Sequence, residues 1–236
     1  METIFFNDYV QITKDTHIYQ IEFKTPQYAL VNSILKTRII QGGSTNETYQ
    51  HIYFKANSVK PLCQYLDENK LIHGKRSLLV SQVAKLIRTL CMQLQHLIAT
   101  YSHTVLGYTQ DAIVVINDEK FVFLGSELIA KIDDQTNLAM ISSPFSSYDC
   151  FFSPEFFKIN ELPAFVHYKI SYFSFALLVI YALLGNDEFY VEYIKHKDPN
   201  AILTSLIHHP IYQTKLYWLL SRCLVEDPKD RSIILV

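Results

Sequence analysis

The stretch Lys169–Leu184, KISYFSFALLVIYALL, followed by Gly185, decides how the rest of the chain is read. From Ile170 to Leu184 it is apolar on every side, apart from Ser171, Ser174 and two tyrosine hydroxyls. A helix that is apolar all round must be buried in protein or in lipid. A bilayer span needs about 20 apolar residues; this run is shorter and holds serines, so it reads as the central core helix of a globular domain. Gly185 supplies the stop, because glycine takes the left-handed conformation after a helix without a Cβ clash.

What must surround that helix follows from the composition. The 236 residues are 49% hydrophobic and 19% charged, enough for one large domain or two small units sharing a core, and far from a disordered composition. The net charge of −2 provides no global field toward nucleic acid or an anionic membrane, so neither is expected as a partner. Cys63, Cys91, Cys150 and Cys223 are far apart and form no C-x-x-C pair. Met1–Val10 carries Glu2 and Asp8 and no basic region, so no targeting segment is read there. Reduced, buried thiols in the cytoplasm are the expectation, without a zinc site. Abundant Tyr, Phe, Ile, Asn and Lys suggest a gene rich in A and T.

Outward from the helix, residues 3–24 alternate and are rich in β-branched and aromatic types, predicting strands with a loop at Lys14-Asp15-Thr16. Residues 27–40 fit either a helix or a buried strand. Gly42–Asn46 reads as a loop, Tyr49–Phe54 as a strand and Val59–Leu66 as a short helix after Asn57-Ser58. From Ser77, the residues Leu79, Val83, Leu86, Ile87, Leu90, Leu94, Leu97 and Ile98 recur at helical steps, predicting a long amphipathic helix. Ala112–Ile116 and Lys120–Leu124 flank a polar turn and predict a β-hairpin. Residues 125–153 predict a long loop. Ala201–Ile207 and Tyr217–Leu224 predict helices, and Asp227-Pro228 a turn.

The order of these elements carries a resemblance. A long amphipathic helix, a loop, a hairpin, a long loop, Ser153-Pro154-Glu155, a buried helix and Leu224-Val-Glu-Asp-Pro-Lys-Asp-Arg231 together resemble the large lobe of the eukaryotic protein-kinase fold. In that family an Ala/Ser-Pro-Glu triplet closes the activation segment. Its glutamate pairs inside the lobe with the arginine of a Leu-x-x-Asp-Pro-x-x-Arg pattern. The resemblance therefore implies a Glu155–Arg231 ion pair, with Pro154 as part of the triplet. It covers residues 76–232, and residues 1–70 match only as a strand-rich small lobe. The implied architecture is α+β and two-lobed: a shortened β-rich N-lobe over 1–70 and a mainly helical C-lobe over 71–236, with a hairpin near 112–124.

The chain departs from the family where the chemistry sits. Phosphoryl transfer needs a glycine-rich loop, a strand lysine, a catalytic aspartate and metal-holding Asn and Asp residues. The family's catalytic loop falls on His103-Thr104-Val105-Leu106, so the aspartate is replaced by Val105, or by Leu106 one residue later. The metal-binding Asp-Phe-Gly aspartate falls on Phe123 or Leu124, and hydrocarbon cannot hold magnesium. Residues 1–40 contain no glycine. Lys14, Lys24 and Lys36 are all candidates for the strand lysine, none in the family's setting. The anchor of the catalytic loop falls on Ser171, and His103 takes the place of the motif histidine, a structural role.

Asp111 has two readings: it holds a cation or nucleotide, or it caps the turn before Ala112. His208-His209 looks like a metal pair, but adjacent side chains point apart. The aromatics Phe145, Phe151, Phe152, Phe156 and Phe157 either present a surface to a protein partner or another copy, or pack under their segment. Ser142, Ser143, Ser146, Ser147 and Tyr148 are loop hydroxyls. The resemblance thus implies a pseudokinase, without cofactor, that binds protein as a scaffold or regulator. It leaves two alternatives: a divergent Ser/Thr kinase using ATP and magnesium through displaced acids such as Asp111, Asp118 or Glu127, and a metal-independent nucleotide sensor. Degenerate kinase-like proteins of large DNA viruses look similar, which would place the chain in host-cell cytoplasm or virion.

Overall fold

The computed structural model describes residues 2–144, 150–185, 202–204 and 206–233. Strands come first: β1 (Glu2–Phe6), β2 (Val10–Asp15) and β3 (Ile18–Phe23), with β4 (Ser44–Thr45) and β5 (His51–Lys55) completing a five-stranded sheet in the order β1-β2-β3-β5-β4. The alternation foreseen in the sequence sorts its faces. Ile12 of β2 pairs with Ile21 of β3, which pairs with Ile52 of β5, and all three are buried. The β2–β3 turn falls at Thr16-His17, with Thr16 at φ 55°.

Between β3 and β4 the ambiguous stretch resolves as helix α1 (Tyr28–Lys36), whose Leu30, Val31 and Ile34 are buried while Tyr28 and Lys36 stay exposed. It packs against the long helix α3 (Val80–Tyr101). The expected short helix at Val59–Leu66 is corrected: Val59–Pro61 is strand β6, and helix α2 runs Leu62–His73. β-branched Val59 suits pairing, and Pro61, with no N–H to give, sits where strand becomes helix. Gly74 ends α2 at φ 74°. In α3 the buried stripe begins at Val83; Leu79 precedes the helix and is exposed.

The hairpin appears as β8 (Ile113–Ile116) and β9 (Lys120–Phe123), turning through Asn117-Asp118 with both φ positive, at 53° and 56°. The Glu119 amide closes this turn on the Ile116 carbonyl at 3.1 Å, and residues 117–119 connect the paired strands. With β6 these strands form a three-stranded sheet. Its far edge is closed by a helix. Thr89 Oγ1 accepts from the Phe121 amide at 3.2 Å. Gln93 accepts from the Phe123 amide at 3.0 Å and donates to the Phe123 carbonyl at 2.8 Å. Thr89 and Gln93 lie one turn apart on α3, within its apolar stripe, and both are buried.

Residues 125–153 are not the structureless loop expected. A 3-10 turn at Ser126–Leu128 leads into β10 (Ile129–Asp133), which hairpins to β11 (Leu138–Ile141). These strands join β7 (His103–Val105) and β12 (Ala164–His167) in a sheet ordered β12-β11-β10-β7. The alternation of Ile129, Ala130, Lys131, Ile132 and Asp133 is present in the sequence, but Ala and Lys are weak strand formers and mute it. The C-terminal half is accordingly richer in strand than a mainly helical unit.

Helix α4 (Ile170–Leu184) is the buried helix, with every residue from Phe173 to Leu183 in the core. Gly185 follows at φ 61°, so close to the Arg76 carbonyl that no Cβ fits. Helix α5 (Lys215–Cys223) packs on α4, and a 3-10 turn at Pro228–Asp230 follows Asp227. Of the helix expected over 201–207, residues 202–204 are helical and 206–208 form a turn; 201 and 205 lie outside the described residues.

The class is α+β with antiparallel sheets. One large core joins the five-stranded sheet, α1, α3, α4 and the β8–β9 hairpin, beside a smaller cluster around Leu106, Ala139 and Val166. The boundary expected at residues 70 and 71 falls inside α2. No helix of the described residues is long and apolar enough to cross a membrane. Gln93→Leu would keep α3 helical and apolar but strand two buried backbone groups of Phe123. We expect a loss of roughly 2–4 kcal/mol, read as a lower urea midpoint, whereas a surface control such as Gln95→Leu leaves the midpoint in place.

Candidate functional site

Where α3 ends, Ser102 turns left-handed at φ 52° and the chain enters β7. His103 pairs with Lys131 across β7 and β10, and its Nδ1 lies 2.5 Å from the Tyr101 carbonyl. It also lines, with Tyr28, Tyr101 and Ser126, a pocket of about 300 Å³. Val105 pairs with Ile129, and the Leu106 amide donates to the Leu128 carbonyl at 2.7 Å. Both side chains are buried, Val105 in the large core and Leu106 in the small one.

The loop 107–111 then folds back under tight packing. Gly107 sits so close to Cys150 and Phe152 that a Cβ would lie 2.6 Å from the sulfur. Burial pushes the Cys150 thiol well above its ordinary range. The Tyr108 carbonyl accepts from the Phe151 amide at 2.7 Å, and its ring meets Phe123 and Phe175 edge-on. Phe123 and Leu124 are core residues, Phe123 held by Gln93 and Leu124 donating to the Ala112 carbonyl at 2.7 Å. All four positions singled out in the sequence, Val105, Leu106, Phe123 and Leu124, thus carry buried hydrocarbon.

Above this loop lies the β1–β2 turn, which the sequence reading did not single out. Asn7 Oδ1 accepts from the amides of Tyr9 and Val10 at 2.8 and 2.9 Å, closing the turn. Its Nδ2 donates to the Asp111 carbonyl at 2.6 Å, tying the first strands to the loop across 104 residues. Tyr9 is buried beneath the turn. Burial, with the Cys150 thiol nearby, pushes its phenol above the usual tyrosine range.

Asp111 itself is exposed, and its backbone carbonyl is what the structure uses. Beside it, Arg76 donates to Asp67 at 2.6 Å, to the Tyr181 hydroxyl at 2.6 Å and to Gln110 at 3.3 Å. Gln110 in turn donates to Tyr181 at 3.0 Å. This network joins α2, the loop and α4. Of the other displaced acids, Asp118 is 3.3 Å from Lys60 in the β8–β9 turn, and Glu127 is exposed. No group of three or more His, Cys, Asp or Glu among the described residues could hold a metal ion.

The candidate lysines are dispersed. Lys14 lies on β2, over the Tyr19 ring; Lys24 follows β3 and is exposed, 3.9 Å from Asp8; Lys36 ends α1. Strand β3, IYQIEF, holds no lysine, and α1, YALVNSILK, holds no acid. Ser171 donates to the Tyr168 carbonyl at 3.0 Å within its own turn. The polar link from α4 to the loop comes from Ser174, whose hydroxyl donates to the Leu106 carbonyl at 3.4 Å.

The structure brings Glu155 and Arg231 together. Pro154 starts the 3-10 turn that presents Glu155. Arg231 is fully buried, and its Nη2 and Nη1 donate to the two Glu155 oxygens at 2.5 and 3.2 Å. Nε donates to the Val225 carbonyl at 2.7 Å and Nη2 also to Glu226 at 2.9 Å. The guanidinium stacks 4.8 Å from the Phe173 ring centroid of α4. Such a planar fork, almost fully bonded, tolerates burial that an ammonium would not.

Of the aromatic group, Phe151 is buried against Tyr181, and Phe152 and Phe156 stack on each other at 4.4 Å. Phe157 packs half-buried on the core, and Phe145 lies outside the described residues. Ser142 and Ser143 are exposed, while Ser146, Ser147 and Tyr148 lie outside. His208 is exposed and His209 half-buried.

No protein-family model matches the chain, and no curated protein matches it. Glu155→Ala would leave the Arg231 charge buried without its acid. A loss of about 3–5 kcal/mol in denaturant unfolding is expected, and Arg231→Lys should fail to restore wild-type stability.

Proposed function

We propose that this chain is a protein-kinase-like domain without phosphoryl transfer, acting by binding protein. The observation that carries the reading is the Glu155–Arg231 clasp, formed between two motif positions 76 residues apart. A strand-rich first unit, a long helix, the β8–β9 hairpin and a buried helix between the two motifs support it in the same order.

The loss of chemistry follows from packing. In protein kinases a lysine on the third strand pairs with a glutamate of the next helix; here β3 has no lysine and α1 no acid. Where the acids that take the hydroxyl proton and hold magnesium would stand, there is buried hydrocarbon. Where a glycine loop would admit phosphates, the β1–β2 turn folds down with Tyr9 buried, and Asn7 straps it to Asp111. A side chain occupying the site from within competes with any nucleotide and supplies no reacting group.

Thermal unfolding with ATP, with and without magnesium, tests this. A ligand at a hundred times its Kd would raise the midpoint by roughly 5–10 °C for a chain of this size; no shift is expected. A magnesium-dependent shift would support a divergent kinase, and a magnesium-independent one a nucleotide sensor. Either would overturn the occluded reading, as would phosphate transfer that Asp111→Ala abolishes.

A further inference from the structure

Two exposed faces of this chain are opposite in charge balance. On the β10–β11–β12 sheet, Met140 and Phe165 stand opposite each other in neighbouring strands, 51% and 63% exposed. They line an open groove of about 640 Å³ whose rim carries Asp133 and Asp134, with Lys131 as the cation of the lining. The groove is therefore apolar at its wall and acidic in balance. Among the described residues β12 is the last strand of its sheet.

The second face is the C-terminal end of α2. Leu71 and Ile72 are 87% and 71% exposed, adjacent, and flanked by Lys70 and Lys75. Single exposed apolar residues are ordinary. Two in succession, with lysines on both sides, leave the end of α2 apolar on more than one side and set in positive charge. This charge is opposite to the acidic balance of the groove. The two faces are built on different elements: α2 packs on β6 and β8, while the groove belongs to the smaller core cluster.

We propose that the α2 end of one copy docks into the Met140–Phe165 groove of a second copy, with Lys70 and Lys75 set against Asp133 and Asp134. Each side of this contact uses a different patch, so it repeats head to tail and builds open chains or rings. Neither face includes Tyr9, Thr109 or Asp111, so failure of this contact and failure of the occluded-site reading are separable.

The test is analytical ultracentrifugation of the whole chain over a range of concentrations, at low and high salt. The average mass is expected to rise with concentration and to fall with salt. Leu71→Glu with Ile72→Glu, and separately Phe165→Glu, should each abolish the rise while leaving the circular dichroism spectrum and unfolding midpoint unchanged. Mixing those two variants is decisive: each keeps one intact face, so together they form a one-to-one dimer that grows no further. Lys70→Glu should weaken association at least tenfold, and Asp134→Lys in the same chain should recover most of it. A wild-type chain that stays monomeric, a variant that associates like wild type, or a mixture that remains monomeric would each overturn the proposal.

Discussion

A helix with no face toward water must be enclosed on all sides, and the architecture answers to that constraint. Helix α4 is wrapped by α3, by α5 and by β7. Its middle is met by the ring of Tyr108, its Phe173 by the Arg231 guanidinium, and its last turn by the segment after α2, where the Leu78 amide donates to the Ala182 carbonyl at 2.7 Å. These covering pieces come from residues 78 to 231, so the enclosure draws distant parts of the chain into one core. Burial of this run of Phe, Leu, Val and Ile supplies the main driving force. It also imposes conditions, because each segment laid over the helix brings backbone and side-chain polar groups with it.

Those polar groups are matched locally. Gln93 and Thr89 close an edge of the β6–β8–β9 sheet that no strand covers, from inside an apolar helix face. Arg231 gathers two carbonyls and a carboxylate around a fully buried charge, and so fixes the segment 225–231 against the turn at Pro154–Lys158. Tyr181 receives Arg76 and Gln110 at the end of α4. An unpaired group in any of these places would cost as much as a large fraction of a domain's net stability. The cysteines form no disulfide: Cys91 and Cys223 lie in the core with their pKa values raised by burial, and the Cys223 thiol donates to the Ser232 carbonyl at 3.6 Å.

What could be read from the sequence was what depends on period and on strong local signals. The apolar run of α4, the stripe of α3, the β8–β9 hairpin with its Asn-Asp turn and the strand alternation of β2 and β3 all declare themselves within a few residues. The Glu155–Arg231 pairing was reachable because a triplet and a patterned octapeptide mark its ends. The β10–β11 hairpin was not, since its strands are short, its residues include Ala and Lys, and its partners β7 and β12 are remote in sequence. Start and type of β6 and α2 were misplaced for a related reason: three residues of strand are decided by the partner β8, some 55 positions away, rather than by their own propensity. Tyr9 was invisible as a site residue because nothing local distinguishes a strand tyrosine that buries in its own sheet from one that closes over a distant loop. Ser174 was passed over for Ser171 because which of two buried serines reaches the loop depends on the rotation of α4.

On the proposed reading, the loss of the acids and the closure of the site are one change. A carboxylate at Val105, Leu106, Phe123 or Leu124 would be ionised at neutral pH only if water or a cation reached it; buried as these positions are, it would carry a desolvation cost of several kcal/mol. Hydrocarbon at the same positions makes the opposite demand, since leaving it exposed forfeits the gain of burial. The turn that would otherwise stand open over phosphates therefore gains by folding down, and Asn7 and Tyr9 give it specific contacts to fold onto. Restoring one acid alone would place it among buried apolar side chains. On that reading each half of the change stabilises the other, and the Asn7–Asp111 hydrogen bond ties the β1–β2 turn to the loop 107–111.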